Sequence, residues 1–118
     1  MMANYAEAFI GTIRGSVAVL DRNLRVQTAT SHFYETFRLL PKETEGFSIF
    51  EVGNGQWNFG EFRALLQERL PRQAKVTDFE CEHQFPGLGR KKIRVNVRQV
   101  EAAAPGNPLT IISIEEVV

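Results

Sequence analysis

At 118 residues the chain can bury one domain's core without disulfide or metal staples. Its 43% hydrophobic and 24% charged content is ordinary for a globular chain, and 14 Lys+Arg against 14 Asp+Glu exclude a global field favouring nucleic acid, an anionic membrane or an acidic substrate. A single cysteine excludes an intrachain disulfide, no apolar run nears the ~20 residues of a membrane span, and no export signal opens the chain, so a cytoplasmic location is expected.

Residues 3–14 read as a helix with Ala6, Phe9, Ile10 and Ile13 on one side, packing either on the domain's own sheet or between two subunits. Gly15 ends it, dividing the chain into a flanking helix (residues 1–15) and a domain (residues 16–118). Residues 17–20 and 24–28 are two short strands, with Leu24 and Val26 on the inner face. Asp21-Arg-Asn23 supplies the turn of that hairpin, Asn23 tolerating a left-handed conformation. Thr30 or Ser31 caps a helix over 32–39 with Phe33 and Phe37 inward. Pro41 opens another helical turn, with Glu43 and Glu45 near its positive end, and Gly46 stops it. An apolar connector, Phe47-Ser-Ile-Phe50, follows.

The best-marked helix start comes next. Glu51-Val-Gly-Asn-Gly-Gln-Trp-Asn58 holds the only tryptophan and two glycines that let the backbone turn sharply. Asn58 and Glu61 have the spacing of an N-cap and a residue reaching back to it. Phe59, Phe62, Leu65, Leu66 and Leu70 then form one apolar stripe of a helix ending before Pro71.

Beyond Pro71 the period becomes two. Phe79, Cys81, His83 and Phe85 share one strand face, and Asp78, Glu80 and Glu82 the other. After Pro86-Gly-Leu-Gly89, Ile93, Val95 and Val97 alternate with Arg94, Asn96 and Arg98. A three-residue loop over 87–89 sets Glu82 against Arg94, Glu80 against Asn96 and Asp78 against Arg98, with Cys81 opposite Val95 and Phe79 opposite Val97. The run from Leu109 to Ile114 is apolar on both faces, as in a strand at the middle of a sheet.

Cys81 reads as a buried small hydrophobe in preference to a reactive thiol, and His32 and His83 as structural or exposed in preference to ligands. Two separated histidines and one cysteine make no metal-site spacing. Helix-start positions and cross-strand partners account for Glu43, Glu45, Glu80 and Glu82 without catalysis. By alternation, Phe37, Phe50, Trp57, Phe62, Leu66, Phe79, Cys81, Ile93 and Val95 face the space between helices and sheet. They either fill the core or line a pocket for a small apolar or aromatic ligand, with Trp57 or His83 as its polar contact.

The order helix, two strands, several short helices, a longer helix and three strands resembles that of the PAS fold. Val19-Leu-Asp21 with Leu24-Arg-Val26, then Phe33-Tyr34 and Phe37-Arg38, looks like a PAS core. Gly53-Asn-Gly-Gln-Trp57, Phe79-Glu-Cys-Glu-His83 and Phe85-Pro-Gly-Leu-Gly-Arg90 resemble a narrower set, the PAS domains of bacterial sensor histidine kinases and of chemotaxis-type methyltransferase/methylesterase fusions. The closing Ile114-Glu-Glu-Val117 resembles the segment where such domains hand over to a linker and output module. Thr30 stands where many PAS domains have Asn, and Gly60 where these relatives often have Pro.

The resemblance implies an α+β fold, a five-stranded antiparallel sheet crossed on one face by short helices and one longer helix, with an additional N-terminal helix. It implies a non-enzymatic sensor or relay module of a bacterial two-component system, joined to an output domain and dimerising through Phe9, Ile10 and Ile13 and a sheet surface. Arg94, Asn96, Arg98 and Glu115 are the relay candidates. The long helix lacks the histidine that haem-binding relatives use, and the helical segment lacks the cysteine of flavin-photoadduct relatives. Both cofactors are therefore disfavoured, and the ligand's identity is left open. A ligand-free dimerisation module and a small isomerase-like α+β enzyme are the alternatives, the second requiring a carboxylate inside the cavity.

Overall fold

The computed structural model of the protein describes residues 15–101 and 106–117. The helix expected over 3–14, with Phe9, Ile10 and Ile13, lies outside these residues, as do 102–105 and 118. Five antiparallel strands, β1 (Ser16–Leu20), β2 (Val26–Ala29), β3 (Lys75–Phe85), β4 (Gly89–Glu101) and β5 (Pro108–Glu116), lie in the order β2-β1-β5-β4-β3. The doubly apolar run is thus the middle strand, held by β1 on one side and β4 on the other.

The first hairpin turns on Asp21, whose Oδ1 accepts from the Asn23 and Arg25 amides at 2.8 and 3.0 Å. Leu24, rather than Asn23, takes the left-handed conformation (φ 62°), so β2 starts two residues later than its pattern implied. Leu24 nevertheless packs against the core beside Val26. Residues 46–49 run along the other edge of this segment, Val26 N donating to Phe47 O and Ile49 N to Leu24 O, both at 2.9 Å.

Helix α1 (Ser31–Phe37) buries Phe33 and Phe37 and ends on Arg38 in a left-handed conformation. Thr30 is its cap. Its Oγ1 accepts from Phe33 N at 3.2 Å and from Val17 N at 3.1 Å, and donates to Gly15 O at 2.7 Å. One hydroxyl therefore caps the helix and ties it to the start of β1. A 3₁₀ turn (Pro41–Glu43) and a short turn (Val52–Gly55) lead to α2, which begins as Gly60–Ala64, widens into a π turn over Leu65–Arg69 and finishes as Leu70–Gln73.

Two expectations fail at α2. The position before the helix is held by Phe59, extended (φ −134°, ψ 155°) and without a side-chain cap bond. Asn58 Oδ1 instead accepts from Arg63 Nη1 at 3.0 Å. A cap is worth about 1 kcal/mol, less than the ring contacts Phe59 makes from this position. Nor does the helix stop at Pro71. Leu70 N donates five residues back to Leu65 O, and this wider turn accommodates a proline ring that would crowd the carbonyl four residues before it. The helix ends at Ala74, φ 60°.

The faces of β3 and β4 are as the alternation implied, but the register is displaced by two residues. Phe85 faces Gly89, Cys81 faces Ile93, Glu82 faces Lys92, Glu80 faces Arg94 and Phe79 faces Val95. The turn is Pro86-Gly87, with Gly87 at φ 74° and Leu88 N donating to Phe85 O at 3.0 Å, the arrangement a type II turn requires. A two-residue displacement preserves the faces, so alternation alone could not detect it. Asp78 does not meet Arg98. It sits at φ 55° in a bulge, its amide donating to Asn96 Oδ1 at 2.9 Å, while Arg98 pairs with Lys75. Replacing the hydroxyl that joins α1 to β1, Thr30→Val, is expected to cost about 2 kcal/mol. Urea denaturation measures this; a loss under about 0.5 kcal/mol contradicts it.

Candidate functional site

The aromatic side chains converge between α1, α2 and the inner face of the sheet. Three consecutive left-handed residues, Gly53 (φ 58°), Asn54 (φ 59°) and Gly55 (φ 78°), reverse the backbone and drive Gln56 and Trp57 into the core. A Cβ at Gly53 would stand 2.5 Å from Gln56 Nε2 and 2.8 Å from Leu39 Cδ2, so both buried side chains would have to shift to admit it. Gln56 Nε2 donates to Phe37 O at 3.3 Å, fastening this turn to the end of α1.

Trp57 is fully buried, with ring centroids of Phe37, Phe62 and Phe85 at 4.8, 4.9 and 5.1 Å and those of Phe33 and Phe59 at 6.3 and 6.4 Å. Phe59 stacks at 3.7 Å and 11° on His83, which meets Phe85 edge-on at 4.9 Å. Phe59 and His83 are half-buried, whereas Phe33, Phe37, Phe62 and Phe85 are fully enclosed. The His83–Phe59 pair is therefore the outer cover of the cluster.

Of the sequence candidates, Phe37, Trp57, Phe62 and His83 meet in this cluster. Phe50 joins it through Phe62 at 6.3 Å and carries Arg63 over its ring at 4.4 Å. Leu66, Cys81, Ile93 and Val95 are buried in the same core, and half-buried Phe79 lies under Arg69 at 5.7 Å. Phe33, Phe59 and Phe85 complete the cage but were absent from the pocket set. Phe85 shares the parity of Cys81 and His83, and both other phenylalanines belong to the apolar faces read as inward, so the signal was present.

Burial and the nearby Glu61 charge push the Cys81 thiol up to about 11, which keeps it protonated and a poor nucleophile near neutral pH. Burial and Arg90 lower His83, against the opposing pull of Glu61, favouring neutral imidazole. Among the described residues, two buried polar atoms, Trp57 Nε1 and Gln56 Oε1, find no hydrogen-bond partner. Such an orphan ordinarily costs ~1–3 kcal/mol. Among the described residues, no group of three or more His, Cys, Asp or Glu is placed to hold a metal ion.

On the opposite sheet face, Arg94 donates through Nε and Nη2 to Glu80 Oε2 (3.1 and 2.9 Å) and through Nη1 to Glu115 Oε1 (2.9 Å). It spans β3, β4 and β5. Lys92 and Arg90 stand 3.8 Å from Glu80 and Glu82 on this outer face, whereas Lys91, which shares the parity of Ile93, sets its Nζ 3.1 Å from Glu116 Oε1 at the edge of the inner face. Asn96 is engaged by the Asp78 bulge, and Arg98 is exposed opposite Ile111. Val17, Val19, Leu109 and Ile111 form an apolar cluster beside this charged half. Glu80 and Glu82 thus lie outside, and neither supplies the internal carboxylate an isomerase-like site needs.

Gly53→Ala is expected to cost about 1–3 kcal/mol, through a left-handed Ala and displacement of the buried Gln56 amide. A thermal-melt comparison with Gly60→Ala, which meets open space, separates this from a general glycine effect. Equal melting temperatures for the two variants would contradict it.

No protein-family model and no curated protein sequence matches the chain. Solved structures do. A PAS domain from a two-component sensor histidine kinase is 8% identical, covering 97% of this chain and 95% of its own, at a TM-score of 0.69. The PAS domain of nitrogen regulation protein NR(II) from Vibrio parahaemolyticus is 15% identical, covering 95% and 97%, at 0.68. The Rhodobacter sphaeroides LOV protein is 13% identical, covering 97% of this chain and 66% of its own, at 0.75. Among the described residues, no helix is long and apolar enough to cross a membrane. The chain has the PAS fold, an α+β architecture with a five-stranded antiparallel sheet covered on one face by helices.

Proposed function

We propose that this chain is a sensory or signal-relay PAS domain of a bacterial signalling protein, most naturally a histidine kinase, acting as a cytoplasmic homodimer joined to an output module. The observation that best supports the reading is the position of β5. Its inner face contributes Ile112 and Ile114 to the core, and its outer face carries Glu115 in the Arg94 clamp. A change in core packing therefore reaches the last residues of the strand through a single element. Val117 N, donating to Lys92 O at 2.8 Å, extends this coupling to the point where the output segment would continue.

In this reading Phe9, Ile10 and Ile13 of residues 1–15 form the dimer contact together with the outer sheet face, and Arg94, Asn96, Arg98 and Glu115 transmit its rearrangement. The aromatic cluster is the sensing element, and a ligand acts by favouring one of two dimer arrangements. Sedimentation equilibrium of the 118-residue chain is expected to show a dimer that Phe9→Glu with Ile13→Glu converts to monomer. Arg94→Ala is expected to leave the dimer intact while altering phosphorylation by the parent kinase. A wild-type monomer at high micromolar concentration, or a parent kinase indifferent to Arg94→Ala, overturns the reading.

A further inference from the structure

Leu40 and Phe47 are the most exposed large apolar side chains among the described residues, at 52% and 51%. Both line one surface groove of about 380 Å³, together with the buried Leu39 and Val52. Their exposure is built into the backbone. Arg38 leaves α1 in a left-handed conformation, so the chain departs from the helix before Leu40. The fully buried Thr44 then holds both positions, its Oγ1 donating to Leu40 O at 2.8 Å and its carbonyl accepting from Phe47 N at 3.1 Å. Phe47 O accepts in turn from Val26 N at 2.9 Å. The two side chains are thus presented from a fixed platform, which lowers the ordering cost of binding.

The rim adds a second observation. Arg38, Glu43 and Glu51 line the groove and are exposed. Among the described residues none of them enters an ion pair, whereas Glu80, Glu82, Glu115 and Glu116 on the sheet all do. Two uncompensated carboxylates against one guanidinium leave an excess of negative charge around an apolar centre.

We propose that this groove docks an amphipathic helix of a partner protein, its apolar ridge seated on Leu40 and Phe47 and its flanking lysines or arginines facing Glu43 and Glu51. Apolar contact supplies the affinity, and the rim selects the partner. Helical spacing sets side chains three and four residues apart on one face, so the ridge and the bases beside it reach the groove together. A second copy of this chain fits less well, because a two-fold contact here would bring two sets of Glu43 and Glu51 against two of Arg38. The same carboxylates oppose an anionic lipid surface.

The probes are a leucine–lysine amphipathic peptide of about four helical turns and its leucine–glutamate counterpart. On the whole 118-residue chain the lysine peptide is expected to bind about tenfold more tightly by calorimetry, with amide shifts in a ¹H–¹⁵N spectrum centred on residues 38–54. Leu40→Ser with Phe47→Ser is expected to weaken it about tenfold, and Glu43→Gln with Glu51→Gln to abolish the preference for lysine over glutamate. All four side chains are exposed, so these substitutions leave the core untouched. Equal affinities, shifts centred elsewhere, or a Leu40/Phe47 variant that binds as the wild type does overturns the proposal. Self-association of the peptide-free chain that this variant lacks would assign the groove to a second copy. Shifts of residues 3–14 in the peptide-free variant would assign it to the chain's own N-terminal stripe, and either result also overturns the proposal. The proposed dimer contact uses the outer sheet face, so its test and this one fail independently.

Discussion

Burial of Trp57 is the constraint on which the other features depend. An indole enclosed by Phe37, Phe62 and Phe85 has no freedom to rotate out, and it touches helix, helix and sheet at once. To reach that position the chain must reverse over Gly53-Asn54-Gly55 in a conformation most residues avoid. The same burial explains the start of α2. Phe59 stays extended so that its ring reaches His83 and Trp57, and the ordinary polar cap is forgone. Local rules yield where the core demands it.

The sheet converts this packing into a connection between two surfaces. Alternation places Cys81 and Phe85 on β3 and Ile93 and Val95 on β4 against the helices, while Glu80 and Arg94 point away. Exposed ion pairs contribute little stability, so the Arg94 clamp is better understood as geometry than as glue. It holds the neighbours of β4 in register near the end of β5. Because β5 lies in the middle of the sheet, its displacement must disturb both β1 and β4.

The order of elements from β1 onward, the faces of β3 and β4 and the inward turn of Phe33, Phe37 and Phe62 were legible because each depends on a period of two or 3.6 residues. The details that escaped depend on something other than period. The β3–β4 register follows from which of two glycines takes the centre of the turn, and Gly87 rather than the pairing of charges decides it. The Asp78 bulge leaves no mark in alternation, yet it returns Val76 to the inner face beside Phe79. At Pro71 the sequence gives a stop signal that a widened helical turn absorbs. Phe85 escaped the pocket set although its parity marked it as inward, since only the fold brings the end of β3 to Trp57.

The Trp57 cluster and the end of β5 are expected to behave as one cooperative unit, because Ile112 and Ile114 share the core that encloses the indole. Native-state hydrogen exchange of the wild type and Trp57→Phe tests this most directly. Protection of the β5 amides over 112–116 is expected to fall together with that of α2, while the turn at Asp21 exchanges as before. Loss of protection confined to the residues around position 57, with β5 unchanged, would contradict it.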